Sequence, residues 1–102
     1  MLRISLLAGF IGLSSPGHAG DIERGKALAE NCSPCHQIGT QGESPLAAAP
    51  PFRHIGRLYE VGELEEALVE GITTAHSEMP EFVFEPSEAA DLIAYLESIQ
   101  EN

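Results

Sequence analysis

The pattern of apolar and polar residues predicts three short helices separated by irregular segments. The middle helix is indicated by the range 63–72, where apolar residues recur at helical spacing and glutamates occupy several other positions. Its apolar positions are Leu64, Ala67, Leu68 and Ile72. A stripe with a period of about 3.6 residues is typical of an amphipathic helix packed on a core, and Gly71 is suited to end it.

The strongest helical pattern runs from Ser87 towards the end of the chain. One broad apolar face is formed by Ala89, Leu92, Ile93, Tyr95, Leu96 and Ile99. Ser87 follows Pro86, and a serine beside a proline predicts a helix start with Ser87 as the N-cap. We therefore expect a core helix over this range.

A shorter helix is predicted over the range 21–31. Acidic Asp21 and Glu23 lie near its start, where they complement the positive end of a helix. Ser33 precedes Pro34, and the residue before a proline is pushed away from helical geometry, so this helix should end near Asn31 or Cys32. The ranges 39–51 and 73–86 show no period and are predicted to be loops.

The first 19 residues have the pattern of a secretory signal peptide. Arg3 precedes an apolar run over 4–13, and the segment ends in Gly17-His18-Ala19, with small residues at 17 and 19. The apolar run is too short to cross a bilayer core of roughly 30 Å as a helix. Cleavage after Ala19 would leave 20–102 as one exported domain, and an uncleaved membrane anchor is the alternative.

The net charge of the chain limits which classes of binding partner are expected. The formal charge is −11 at pH 7, and loss of the segment with Arg3 makes it one unit more negative. Such a charge argues against nucleic acid and against anionic membrane surfaces, and it favours partners that carry a basic patch. Simple solubility explains the same charge equally well. A domain this small often depends on a metal, a disulfide or a cofactor for its core.

The chemistry is concentrated in the stretch Cys32-Ser33-Pro34-Cys35-His36. Covalent attachment of a c-type haem needs two thiols that can add to the vinyl groups along one porphyrin edge, with an imidazole that reaches the iron from the same side. A Cys-x-x-Cys-His turn supplies all three groups. Both cysteines of the chain are used here, and Cys32, Cys35 and His36 are therefore predicted to hold haem c.

Three other interpretations of this stretch stay open. A zinc site would need a second pair of closely spaced ligands, whereas His54 and His76 stand far apart. A thiol–disulfide exchange site tolerates the internal proline, but that class of site belongs to a βαβ setting at a helix N-terminus. A structural disulfide between Cys32 and Cys35 is the third.

Two nearby groups of residues have candidate supporting roles. Pro50 and Pro51 fix the backbone of the loop, so a carbonyl there is a candidate to accept the proton on the far nitrogen of His36. Alternatively, the two prolines only make a turn rigid. Arg53, His54 and Arg57 form a basic cluster that could meet haem propionates, or else form a solvated face.

Taken together, these features resemble a small class I cytochrome c over the whole mature chain. The resemblance is carried by the helix ending in Cys-x-x-Cys-His, the proline-containing loop, the central helix, the Met79-Pro80 loop and the C-terminal pattern 92–96. It implies an all-α, class I cytochrome c-like fold, with three or more short helices wrapped around one covalently bound haem. It also implies His36 and Met79 as the axial ligands of a six-coordinate iron.

The resemblance implies a particular helix crossing as well. Gly25 should let the N-terminal helix pass closely over the C-terminal helix near Tyr95. Members of this family often have an aromatic residue just before the haem motif. This chain has Leu28 and Ala29 there, so we expect a looser crossing.

Met79 has rivals for the sixth position on the iron. His76 is the nearer one and His54 the other. Met79 precedes Pro80, which keeps it outside any helix, and aromatic residues at 82 and 84 can close an apolar pocket around a soft thioether.

The expected function follows from the implied ligands. A His/Met pair leaves no open position on the iron and raises its reduction potential, which suits one-electron transfer at an exposed haem edge. We expect an electron carrier rather than an enzyme, exported to the bacterial periplasm, that exchanges electrons with a donor and an acceptor redox protein. We expect no nucleic acid partner and no stable membrane insertion after cleavage. The alternative is a haem sensor or a peroxidase-like enzyme with a labile sixth ligand.

Overall fold

The computed structural model describes residues 20–72 and 78–101. The predicted signal segment 1–19 and the range 73–77, with His76, lie outside those residues. Across the described ranges, the regular structure is helical. The α-helices are α1 (Ile22–Ala29), α2 (Leu64–Glu70) and α3 (Pro86–Ile99), and the 3₁₀ turns are Glu30–Cys32, Phe52–Arg57 and Val61–Glu63.

Helix α1 begins and ends where the sequence predicts. The Asp21 carboxylate caps it by accepting a hydrogen bond of 3.1 Å from the backbone N–H of Arg24. After Ala29 the helix tightens into the 3₁₀ turn Glu30–Cys32, ahead of Pro34. The predicted end near Asn31 or Cys32 is confirmed.

Helix α2 also follows its predicted pattern. Leu68 is buried on the apolar side, and the helix ends at Gly71, which adopts a φ of 108°. An L side chain rarely adopts that conformation, so glycine is the residue that allows the chain to leave the helix there. The Gly71 N–H donates a hydrogen bond of 2.9 Å to the carbonyl of Ala67.

The start of α3 differs from the prediction. Ser87 is not the N-cap: the helix begins at Pro86, and Glu85 is the cap. Proline has a fixed φ and no N–H to satisfy, so it suits the first helical position. Glu85 and Glu88 then form a reciprocal capping box, in which the Glu85 backbone N–H donates to the Glu88 carboxylate at 3.0 Å.

The crossing of α1 over α3 is close. A Cβ on Gly25 would overlap the backbone carbonyl of Asp91 and lie 2.8 Å from the Tyr95 Cβ. Ala29, one turn further along α1, is fully buried. The implied contact of Gly25 near Tyr95 is confirmed, and the expectation of a looser crossing is wrong. The absence of a side chain at Gly25 sets the distance between the helices, whatever residue precedes the haem motif.

A buried carboxylate secures the start of α1 to α3. Asp91 is 8% exposed and accepts a hydrogen bond of 2.7 Å from the Asp21 backbone N–H. The guanidinium of Arg24 lies 3.5 Å from the other Asp91 oxygen. Because a buried carboxylate needs partners, this arrangement fixes where α1 begins along α3.

The hydrophobic core is centred on α3, as its broad apolar face predicts. Its residues are Ala29, Phe52, Ile55, Val61, Leu68, Phe84, Ala89, Leu92, Ile93, Tyr95 and Leu96. Every helix and turn of the described chain except Glu30–Cys32 contributes to this cluster, and Cys32 packs against it. Among the described helices, none has the length and hydropathy needed to cross a membrane.

Candidate functional site

The Cys-x-x-Cys-His stretch folds as one tight turn at the end of α1. The carbonyl of Cys32 accepts hydrogen bonds from the backbone N–H of Cys35 at 3.2 Å and of His36 at 2.9 Å. Both cysteines are free thiols and partly buried. The turn therefore brings together the two thiols and the imidazole that the sequence predicts as a unit.

The Cys32 thiol is held in its neutral form. Burial, and secondarily the charge on Cys35, raise the pKa of Cys32 from 9.0 to about 11. Cysteines that carry out thiol–disulfide exchange have lowered pKa values and sit at helix N-termini. Cys32 instead follows the C-terminal end of α1, so the position and the raised pKa both disfavour the exchange interpretation.

The orientation of the His36 ring is fixed by the loop across from it. Its Nδ1 lies 2.7 Å from the carbonyl oxygen of Pro50. A carbonyl can only accept, so Nδ1 carries the proton and donates it, and the lone pair is left on Nε2. The predicted role for a carbonyl in the range 39–51 is confirmed. Because an imidazole that ligates iron needs this arrangement, the residues fit a haem.

An aromatic residue supports this ring, and the sequence reasoning missed it. The Phe52 ring lies with its centroid 4.9 Å from that of His36, at an interplanar angle of 45°. Phe52 is buried, and its backbone N–H donates a hydrogen bond of 2.8 Å to the carbonyl of Gln37. Its position directly after Pro51, as an aromatic beside a rigid turn, was the available signal.

Tyr95 of α3 contacts the backbone that follows His36. The sequence predicts Tyr95 only as a core residue, but its hydroxyl also donates a hydrogen bond of 2.6 Å to the carbonyl of Ile38. Burial, and secondarily the charge of Glu30, raise the pKa of Tyr95 above 10.0, so the hydroxyl keeps its proton at neutral pH. The backbone just after His36 is thereby attached to α3.

The basic cluster gathers around a carboxylate that the sequence reasoning did not connect with it. Glu101 lies 3.8 Å from Arg53, 3.3 Å from His54 and 4.0 Å from Arg57. Arg53 also donates a hydrogen bond of 2.7 Å to the carbonyl of Gly42. The proposed contact of these residues with haem propionates stays a prediction.

Met79 lies on a separate segment. Its side chain is partly buried. The two nearby aromatic rings, Phe82 and Phe84, stack with centroids 6.0 Å apart, and Phe84 is buried in the core. Phe82 and Phe84 lie close to Met79 in the sequence, whereas ligation by Met79 stays a prediction, and its rival His76 lies outside the described residues.

A separate concavity is lined by four of the chain's 16 acidic residues. It has a volume of about 830 Å³ and is lined by Gly62, Glu63, Glu65, Glu66, Val69, Glu70 and Pro86. No residue of the Cys32–His36 turn lines it. We call it the acidic groove, and its four glutamates make it a surface that attracts positive charge.

Comparison with known families agrees with the site. The family model described as Cytochrome c matches residues 22–100, which include every helix of the described chain and the Cys32–His36 turn. Comparisons with curated proteins and with solved structures gave no significant match.

Proposed function

The chain belongs to the cytochrome c family, and we propose that it is an exported carrier of single electrons whose iron is ligated by His36 and Met79. The match of residues 22–100 to the family model and the helical architecture of the chain are those of a small class I cytochrome c. The family binds haem c covalently, and its members are generally electron carriers. The residue assignments, the export and the partners are our proposal.

The observation that carries the proposal is the hydrogen bond between His36 Nδ1 and the Pro50 carbonyl, at 2.7 Å. It leaves the lone pair of Nε2 available to bind a metal, on the same turn as the free thiols of Cys32 and Cys35. These two thiols would form the covalent links to the porphyrin, and His36 would hold the iron. When bound, the haem supplies an iron that gains and loses one electron.

Met79 is proposed as the second ligand on chemical grounds. Its thioether is soft and polarisable, and Pro80 keeps the residue outside a helix. A methionine raises the reduction potential relative to harder ligands, and a His/Met pair leaves no position for substrate. That combination favours electron transfer over a peroxidase-like reaction.

The partners are proposed to be donor and acceptor redox proteins with basic docking patches. The support is the charge of −11 and the acidic groove beside α2. If charge steers the encounter, electron exchange with the physiological partner should slow as salt rises, because the screening length is about 10 Å at 0.1 M. A stopped-flow rate that does not fall between low and high salt would leave the acidic surface as a device for solubility.

Export is proposed from the signal pattern in residues 1–19. The expected product is a protein of the bacterial periplasm that begins at Gly20. N-terminal sequencing of the protein from the periplasmic fraction checks this. A first residue upstream of Gly20 would instead indicate that the segment is retained as an anchor.

The function itself is tested by two spectra. A pyridine haemochrome spectrum of the purified protein should be that of a haem with two thioether links. Carbon monoxide added to the reduced protein should then leave the spectrum unchanged, because both axial positions are filled. Rapid carbon monoxide binding would contradict a closed carrier site and would favour the sensor or peroxidase-like alternative.

A further inference from the structure

The side chain of Gln100, which follows the last residue of α3, binds the backbone of the turn Phe52–Arg57. Its Nε2 donates hydrogen bonds to the carbonyl of Phe52 at 2.7 Å and to that of Leu96 at 2.9 Å. Its Oε1 accepts a hydrogen bond of 2.6 Å from the N–H of Gly56. The amide thus uses both of its donor hydrogens and its acceptor, and its orientation is fixed.

The backbone that Gln100 holds is the backbone that orients His36. Phe52, whose carbonyl accepts from Gln100, also places its ring against the imidazole. Pro50, two residues earlier, supplies the carbonyl that accepts the Nδ1 proton. A displacement at Phe52 would therefore change both contacts of the His36 ring at once.

We propose that Gln100 is a positioning residue for His36, which acts by fixing the segment 50–52 against the imidazole. The inference rests on the proposed role of His36 as the iron ligand. Glutamine suits the position because the neighbouring backbone offers both carbonyls and an N–H. A glutamate could accept from Gly56 but could not donate to Phe52, and a lysine could donate but not accept.

The direction of the effect on the iron follows from the hydrogen bond at Nδ1. Donation of that proton to Pro50 makes the imidazole more basic at Nε2. A more basic ligand stabilises the ferric state. When the segment 50–52 is less firmly held, the hydrogen bond weakens, and the reduction potential should rise.

The test compares Gln100→Ala and Gln100→Glu with the parent holoprotein. The first readout is hydrogen exchange of the His36 Nδ1 proton, followed by NMR in the ferrous protein, and the second is the midpoint potential. Both variants lose the bond to Phe52, so exchange should accelerate roughly fivefold to tenfold in each. The potential should rise in Gln100→Ala, whereas in Gln100→Glu the added negative charge stabilises the ferric state, so that variant is judged by its exchange rate. If Gln100→Ala does not yield folded holoprotein, the result with Gln100→Glu decides.

Ser98→Ala is the matched control. Ser98 lies in the same last turn of α3, and among the described residues its hydroxyl donates within the helix, to the carbonyl of Tyr95 at 2.6 Å. This variant should leave the exchange rate and the potential at the parent values. Equal acceleration in Ser98→Ala would show general fraying of α3 and would overturn the proposal, as would parent-like values in both Gln100 variants.

The parent protein separates failure of this inference from failure of the proposed function. If the parent lacks thioether-linked haem, or if the His36 ring shows no signals shifted by the haem, the ligand assignment fails before any variant is made. If the parent passes both checks and the Gln100 variants behave like it, only the positioning role is wrong.

Discussion

His36 is held by directional hydrogen bonds, whereas the segment around Met79 is held by packing. The imidazole donates a hydrogen bond to the carbonyl of Pro50. The two residues that follow His36 also accept hydrogen bonds at their carbonyls, Gln37 from the N–H of Phe52 and Ile38 from the hydroxyl of Tyr95. Within the described residues, the segment 78–84 contacts the core through stacked aromatic rings and a backbone hydrogen bond from the N–H of Phe84 to the carbonyl of Leu68, at 2.9 Å.

This difference corresponds to the chemistry of the two side chains. An imidazole has two unlike nitrogens, so its function depends on a fixed ring orientation and on the placement of one proton. A thioether has no proton to place and needs only an apolar setting within reach of a metal. In the part of the chain that the structure describes, hydrogen bonds therefore orient His36, and aromatic packing holds the segment 78–84.

The largest effect is expected from removal of the covalent links beside His36. Cys32→Ala or Cys35→Ala should give a protein that is poorly folded or degraded after export, because the small core lacks its apolar centre without haem. Thermal melting beside the parent measures the loss. A double variant that melts as cooperatively and as hot as the parent, without haem, would show that the core does not need the cofactor.

The next largest effect is expected at the helix crossing that supports the His36 side. Gly25→Ala places a methyl group into the Asp91 carbonyl, so the helices must separate, and the free energy of unfolding should fall by about 3 kcal/mol. Urea denaturation measures it. Gly62→Ala is the control, since its Cβ would meet only the end of the Glu97 side chain at 3.4 Å. A loss below about 1 kcal/mol in Gly25→Ala would contradict the close crossing.

A smaller loss of stability is expected on the Met79 side. Met79→Ala should lower the free energy of unfolding by about 2 kcal/mol, because the side chain is only partly buried. It should also remove the sulfur-to-iron charge-transfer absorption of the ferric protein, lower the potential and admit carbon monoxide to the reduced iron. The His36 Nδ1 proton should stay protected, since its partners lie elsewhere.

His76→Ala is the control for this assignment. It should retain the charge-transfer absorption, the potential and the closed iron. If His76→Ala produces the three spectroscopic and redox changes and Met79→Ala does not, then His76 is the sixth ligand.

The smallest effect is expected at Tyr95. Tyr95→Phe removes only the hydroxyl that donates to Ile38, which should cost about 1 kcal/mol. Tyr59→Phe is the control, because Tyr59 is 58% exposed. Urea denaturation of both variants should show a loss in Tyr95→Phe alone, and equal stability of the two would mean that the bond to Ile38 contributes nothing.

The stability of the parent and of Tyr95→Phe should also differ in its dependence on pH. Because folding raises the pKa of Tyr95 above 10.0, the folded state keeps the phenol neutral where the unfolded state ionises it. The raised pKa of Tyr95 opposes folding only where the unfolded phenol is ionised: it does not alter the free energy of unfolding below pH 10, and it lowers that free energy as pH rises from 10 through the raised pKa. Tyr95→Phe should lack that component of the alkaline loss of stability.

The helix boundaries that the sequence predicts correctly depend on local rules. The end of α2 at Gly71 follows from a backbone restriction at a single residue. The end of α1 lies where Pro34 predicts it, although Ser33 before the proline keeps helical angles, with φ −66° and ψ −22°. The predicted N-cap of α3, Ser87, was wrong: Pro86 takes the first helical position, for which its fixed φ suits it, and the cap is Glu85. Local chemistry thus predicts where the helices lie, to within a residue or two.

The sequence by itself determined the turn that brings the two thiols and the imidazole together, because Cys32, Cys35 and His36 lie within one turn of backbone and need no distant partner to meet. The sequence also predicted that a carbonyl near Pro50 and Pro51 meets the imidazole, and only the tertiary structure decided that Pro50 is the acceptor and that Tyr95 and Gln100 hold the adjoining backbone. These hydrogen bonds join residues that lie far apart in the sequence. The separation is 14 positions for His36 and Pro50, 57 for Ile38 and Tyr95, and 48 for Phe52 and Gln100. Hydrogen bonds at such separations depend on how α3 packs against the rest of the core, and no spacing rule within one segment encodes them.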